Sequence, residues 1–180
     1  IKKDLRKSLM ILPFEDLSPG GDNAWFSNGI TAELISSLSN VKALRVTDQQ
    51  TTKEFKQYKG QLSVYAKEMD IRYFVQGSVR KFGDQIKISS SLLDIETGDH
   101  LWQDSLKGTM EDIFDIQETV AKKVVEGLAL ILTKDEEKKL DKKPTENAEA
   151  YEFFLKGQEY ALRHTKSDFE RALSLYEEAI

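Results

Sequence analysis

Glu15 and Asp16 follow directly on the apolar run Leu9-Met10-Ile11-Leu12, which ends at Pro13 and Phe14. An acid just past a buried strand is where many α/β proteins hold a divalent metal, so Asp16 with Glu15 could support metal-dependent phosphotransfer. That chemistry also needs a second carboxylate brought alongside and a cation for the phosphates, and no later segment has that form. An acidic surface loop is the favoured reading. Ser18-Pro19-Gly20-Gly21, ahead of a helix, could cradle a phosphate on free backbone N–H groups. No Walker lysine and no G-x-G-x-x-G accompany it, which favours an entry loop. A third chemistry is small-ligand sensing in a cleft at the strand's C-terminal end. Phe14, Glu15, Asp16, Gly20, Gly21 and Asn23 are its candidate contacts, and no residue is assigned a catalytic or metal-binding role.

His100 and His164 have no acid or nucleophile fixed beside them in sequence, so neither reads as catalytic. Ser89-Ser90-Ser91 sits on a strand rather than a nucleophile elbow. Trp102 reads as a core or edge aromatic. Arg72, Arg80, Lys81 and Lys87 could line one face of a sheet, as solvated sheet faces often do, so no nucleic-acid binding is assigned to them.

Composition narrows the choice further. The 180 residues carry a net charge of −5, 39% hydrophobic residues, two His and no Cys. Disulfides, thiol nucleophiles and Cys-ligated zinc are excluded, and a His-rich metal site is disfavoured. The acidic balance argues against an overall cationic nucleic-acid binder. No apolar run approaches the ~18 residues of a membrane span. No cofactor is implied. The chain opens on Ile1, as a piece of a longer protein would.

These residues must be positioned by a small set of elements. Residues 1–8 form a basic arm with Lys2, Lys3, Arg6 and Lys7. Leu9–Leu12 is a central strand, apolar on both faces and stopped by Pro13. Residues 14–23 are a loop, with Asp22 or Asn23 capping a helix that carries Trp25, Phe26, Ile30, Leu34, Ile35 and Leu38 on one face. Gly29 inside that helix marks a close backbone approach. Leu44–Thr47 is a second short strand, followed by short helices, one opened by an Asp48 cap and one around Val64–Met69. Residues 73–107 alternate as an antiparallel meander with turns at Gly83-Asp84 and Glu96–Asp99. A long helical stripe from Ile113 to Leu132 then closes the domain, with Thr109 and Asp112 as a capping box. Residues 134–147 are a charged linker, or a helix end running into one.

Residues 148–180 give two apolar helical stripes separated by Arg163–Asp168, with Ser167 or Asp168 as the second cap. Gly157 and Tyr160 on the first helix, and Ala172, Tyr176 and Ala179 on the second, resemble the packing positions of a tetratricopeptide repeat. The inter-helix turn is about three residues longer than the ~34-residue repeat allows.

The order of segments in residues 9–133 resembles the TolB amino-terminal-like domain. Leu12-Pro13-Phe14-Glu15-Asp16-Leu17-Ser18 is similar to its LPF-x-(N/D)-L-S opening. Trp25–Ile35 resembles its F-(A/S)-x-G-(I/L)-T helix, and Ile71–Arg80 its V-x-Y-x-x-x-G-S-V-R strand. Leu92–Trp102 is similar to its D-x-x-T-G hairpin, and Ile113–Glu118 to the I-F-x-(I/L)-Q start of its closing helix. The resemblance implies an α/β domain with a mixed sheet in two or three layers: βα units, then a meander and a closing helix. It carries over no catalytic residues. It implies a non-catalytic sensory or protein-interaction module of a bacterial signalling protein, often joined through a membrane span to an adenylate or guanylate cyclase, a serine/threonine kinase or a transcriptional regulator. Repeats commonly follow this domain. The expected partners are proteins bound through the repeat array, and a second copy of the chain, with no nucleic acid and no membrane bound by this segment. The alternatives are small-ligand sensing and a cyclase-like enzyme using Asp16.

Overall fold

A computed structural model describes residues 4–180. Lys2 and Lys3 of the basic arm lie outside the described residues. Six strands form one mixed sheet: β1 (Lys7–Ile11), β2 (Glu15–Asp16), β3 (Leu44–Val46), β4 (Tyr73–Phe82), β5 (Gln85–Asp94) and β6 (Asp99–Thr109). The order is β3-β1-β4-β5-β6, and β2 pairs with β4 beyond the end of β1. β1 runs parallel to β3 and β4, while β4, β5 and β6 form an antiparallel meander. The helices are α1 (Ala24–Leu38), α2 (Gln49–Phe55), α3 (Leu62–Glu68), α4 (Ile113–Gly127), α5 (Lys134–Leu140), α6 (Ala148–Ala161) and α7 (Lys166–Glu178). None of the described helices is long and apolar enough to cross a membrane.

β1 explains the layering. Leu9 and Ile11 enter the main core beneath α1 and α4, while Met10 points to the opposite face. There it meets Ala66, Ile71 and Phe74, flanked by Phe55, Leu62 and Tyr65 from α2 and α3. The parallel part of the sheet is therefore covered on both faces, which is why β1 reads as a continuous apolar run. The second half of the meander is covered on one face only. Val79, Ile86, Ile88 and Leu92 are buried in the main core. The alternate residues form polar rows across three strands: Gln76, Ser91 and Gln103; Ser78, Ser89 and Ser105; Arg80, Lys87 and Lys107. The α/β architecture is thus three layers at one end of the sheet and two at the other.

Gly29 is a close approach. A Cβ there would stand 2.7 Å from Leu155 of α6, so α6 lies directly against α1. The Thr109–Asp112 capping box forms, over a single 3₁₀ turn that leads into α4.

Several segments differ from the sequence reading. The arm ends earlier than residue 8: Lys7 and Ser8 already belong to β1, where the Lys7 amide donates to the Ala43 carbonyl (2.9 Å). The loop at 14–23 begins with the two-residue β2, held because Leu17 N–H donates to Val79 O. The closing helix stops at Gly127 rather than Leu132. Ala129 adopts a left-handed φ of 52°, and the amides of Ala129 and Leu130 turn back onto Glu126 and Val125. This is a Schellman ending without its usual glycine. Residues 134–140 are a helix rather than a linker. Thr133 and Glu136 form a capping box, and Leu140 is buried in the main core. Charge alone hides this, because Leu140 is the one apolar residue of that helix and the other buried residue, Glu136, is an acid. In the tail, Thr165 rather than Ser167 or Asp168 caps α7, accepting from the Asp168 amide.

Candidate functional site

The Phe14–Asn23 segment leaves the C-terminal end of β1 and folds back over it. Phe14 is buried, with its amide donating to Thr31 Oγ1 (3.0 Å) and its ring lying over Gly77 of β4. A side chain at Gly77 would collide with that ring and with the Ser89 carbonyl. Asp16 faces the loop. One carboxylate oxygen accepts from the Ser18 amide (2.9 Å) and the other from the Asn23 amide (2.8 Å). Burial by itself would raise the Asp16 pKa, but hydrogen bonds from Ser18 and Asn23 outweigh it and hold the group below the ordinary carboxylate range. Gly20 and Gly21 take positive φ values of 88° and 62°, and the Gly21 amide closes a turn onto the Ser18 carbonyl.

This geometry gives the segment's polar groups partners within the loop. The amides of Ser18 and Asn23, which would face a phosphate, hold the chain's own carboxylate instead. Each oxygen of that carboxylate accepts one loop amide. Asp16 is a staple for the entry into α1, and Glu15 beside it is exposed. Asn23 stands at the helix start without a side-chain cap bond; the Phe26 amide donates to its backbone carbonyl instead (2.9 Å), and its side-chain amide donates to Asp22.

An open cleft of about 660 Å³ does lie beside the staple. Phe14, Glu15 and Asp16 line it, whereas Gly20, Gly21 and Asn23 stand outside. Its opposite wall is Phe55, Lys56 and Tyr58 at the end of α2, with Gln76 from the sheet. The ring cluster of Phe55, Tyr58 and Tyr65, with centroids 4.8–5.7 Å apart, fixes that wall. Its sequence signal was the aromatic spacing after the Asp48 cap.

The hairpin of α6 and α7 docks on the other side of α1. Tyr151 and Leu155 enter the main core, and Tyr151 packs on Phe114 (4.8 Å) while accepting a hydrogen bond from Gln117 (3.1 Å). Burial pushes the Tyr151 phenol well above its ordinary range. Trp25 of α1 is flanked by Lys156 at 5.0 Å and Lys81 at 5.8 Å, and Glu152 pairs with both cations. Asn28 bridges Glu159 of α6 and Lys56 beside the cleft. Within the hairpin, Gly157 faces Tyr176, where a Cβ would stand 2.6 Å from the ring, and Ala172 is buried. Tyr160 and Ala179 are half-buried, with Arg163 stacked over the Tyr160 ring. Phe154, Leu162, Phe169 and Leu173 are 42–60% exposed on the outer side.

Of the four basic residues read as a sheet face, two belong elsewhere. Arg72 pairs with Asp94 (2.7 Å) and Glu96 (2.6 Å), and Lys81 points under the sheet toward Glu152. Lys107, not singled out in the sequence, joins Arg80 and Lys87 instead. The alternation of β6 carried that signal, hidden by a bulge that shifts the register between Leu92 and Leu93.

Comparisons with known proteins fit this architecture. "Putative adenylate cyclase 3" of Rhizobium meliloti (strain 1021) is 30% identical over 158 residues, covering 88% of this chain and 27% of that protein. The chain thus spans about a quarter of the length of that curated relative. The crystal structure of TolB from Acinetobacter baumannii superposes with a TM-score of 0.51 at 14% identity, covering 68% of this chain and 28% of the other. That likeness is one of fold, and it agrees with the TolB-like α/β domain expected from the motifs. Lipoprotein GNA1162 from Neisseria meningitidis gives a TM-score of 0.48 at 19% identity, over 70% of this chain and 99% of the other. The family model described as "HilA/YgeH-like transcriptional regulator, second domain" matches residues 5–123, so the chain belongs to that family.

Proposed function

We propose that this chain is a non-catalytic interaction module of a bacterial signalling protein, an α/β platform that presents the first hairpin of a tetratricopeptide repeat array. The observation that carries this reading is the two-sided hairpin. One side is locked to α1 by Leu155 and the Trp25 cluster and to α4 by Tyr151, while the outer side leaves Phe154, Phe169 and Leu173 in solvent. A lone hairpin of this kind cannot bury both faces, and stacked neighbours or a bound helix complete it. The family's description as part of a transcriptional regulator and the relative's name as a putative adenylate cyclase supply the signalling context. The platform transmits by contact, and any nucleotide chemistry of the parent resides outside these residues.

A photo-crosslinking residue placed at Leu173 in the full-length protein tests this. Capture of a second polypeptide, or of a further part of the same chain, is the expected result, with no capture from the solvent-facing Arg171 position. Capture at neither site contradicts the reading. A second reading, ligand sensing, rests on the cleft between Phe14 and Tyr58. It requires a nucleotide or metabolite to raise the melting temperature and Tyr58→Ala to abolish that rise.

A further inference from the structure

Arg80, Lys87 and Lys107 stand directly opposite one another on three adjacent strands. With strands ~4.8 Å apart, three cations occupy a row about 10 Å long. Like charges directly opposite across strands repel. None of the three has an ion-pair partner among the described residues, although ten other cations do. Among the described residues no helix covers this end of the face, and the row ends at β6, the outermost strand of the sheet. β6 is 11 residues long and mostly exposed, with its outer edge unpaired. Native sheets seldom leave so long an edge uncovered.

The row has a vacant fourth position. A strand added beside β6 would place one side chain next to Lys107, in line with Lys87 and Arg80. An acidic side chain there would turn a repelling row into a paired one. The edge already accommodates such a group: the Ser105 amide takes the carboxylate of its neighbour Asp104 at 2.7 Å. The adjacent row, Ser78, Ser89 and Ser105, is hydroxylic, with Ser89 and Ser105 hydrogen-bonded to each other, and suits small polar side chains. A long polyanion fits less well. Glu15 lies at the end of that hydroxyl row, Asp104 lies on β6, and the whole chain is at −5.

We propose that the edge of β6 and the open face of β4–β6 bind an extended acidic segment of a partner polypeptide by strand addition, with a carboxylate completing the Arg80–Lys87–Lys107 row. This rests on the reading of the chain as an interaction module but uses a surface separate from the hairpin. Failure here with successful crosslinking at Leu173 would leave that reading intact.

The test uses synthetic extended peptides of alternating valine and threonine, with glutamate, glutamine or lysine replacing the central threonine. Affinity is measured by fluorescence anisotropy and the site by amide chemical shifts. The glutamate peptide is expected to bind about tenfold tighter than the glutamine peptide, with an advantage that shrinks as salt rises. Shifts should fall on β6 and β5. Lys87→Glu should weaken binding of the glutamate peptide about tenfold and favour the lysine peptide instead, a swap that a merely misfolded variant would not show. Ser105→Pro, which removes an edge amide, should abolish both. Equal binding of glutamate and glutamine peptides would overturn the proposal. So would tighter binding of a single-stranded oligonucleotide, or a self-association that accounts for all shifts on β6.

Discussion

The two halves of the sheet obey different rules. Around β1 and the start of β4, residues pointing to either face are apolar and buried: Leu9 and Ile11 below, Met10 and Phe74 above. Along the second half of β4, and on the parts of β5 and β6 beside it, only one face is apolar, and the other carries hydroxyl, amide and cationic rows. The same strand, β4, passes through both regimes. Phe74 is fully buried and Phe82, on the same face eight residues on, is 76% exposed. What decides is the pair α2–α3, whose length covers the parallel end and no more. The covered half sets stability; the open half is free to carry contact chemistry.

That contrast can be broken at Phe74. Phe74→Ala empties the second cluster and should cost about 3–5 kcal/mol in chemical unfolding, while Phe82→Ala should stay within about 0.5 kcal/mol of the parent. If both cost alike, the two halves do not differ as described. The docking of α6 comes next. Leu155→Ala removes the side chain that fills the space left by Gly29, and should cost about 2–5 kcal/mol and loosen the hairpin to protease.

The third effect depends on pH. The Glu136 carboxylate accepts from the Thr133 and Lys42 amides and the Thr133 hydroxyl, which hold its pKa at about 2 against an ordinary 4.5. A depressed folded-state pKa stabilises the fold above the unfolded value. That contribution is therefore complete above pH 4.5 and is lost as pH falls toward 2. Glu136→Gln should lower the melting temperature at neutral pH and flatten its dependence between pH 5 and 2. The smallest effect has the opposite sign. Lys87→Thr relieves the cation row and should stabilise by about 0.2–1 kcal/mol while removing the attraction for acidic peptides.

Much of the fold was legible because its signals are local. The apolar run before Pro13, the alternation of β4–β5, the Thr109–Asp112 box and the Gly29 approach each state themselves within a few residues. What escaped depends on partners distant in sequence. Glu136 reads as one charge among many until Lys42 arrives beside it, and Ala129 ends a helix that its apolar spacing would continue. The site followed the same division. Asp16 was a candidate from its place after the strand, but its contacts depend on where the Ser18 and Asn23 amides point, which spacing does not state. Lys107 joined the cation row only through the register of β5 on β6.

The open face is the central claim, and the absence of cysteine in the chain makes it directly measurable. Single cysteines placed at Ser89, Ser105 and Ser90 report the two sides of the sheet by their rates of reaction with a thiol reagent. Ser89→Cys and Ser105→Cys should react while the protein is folded, and Ser90→Cys, which faces inward at 5% exposure, only as fast as the protein unfolds. Ser89→Cys and Ser105→Cys as protected as Ser90→Cys would show the face to be covered and contradict the account.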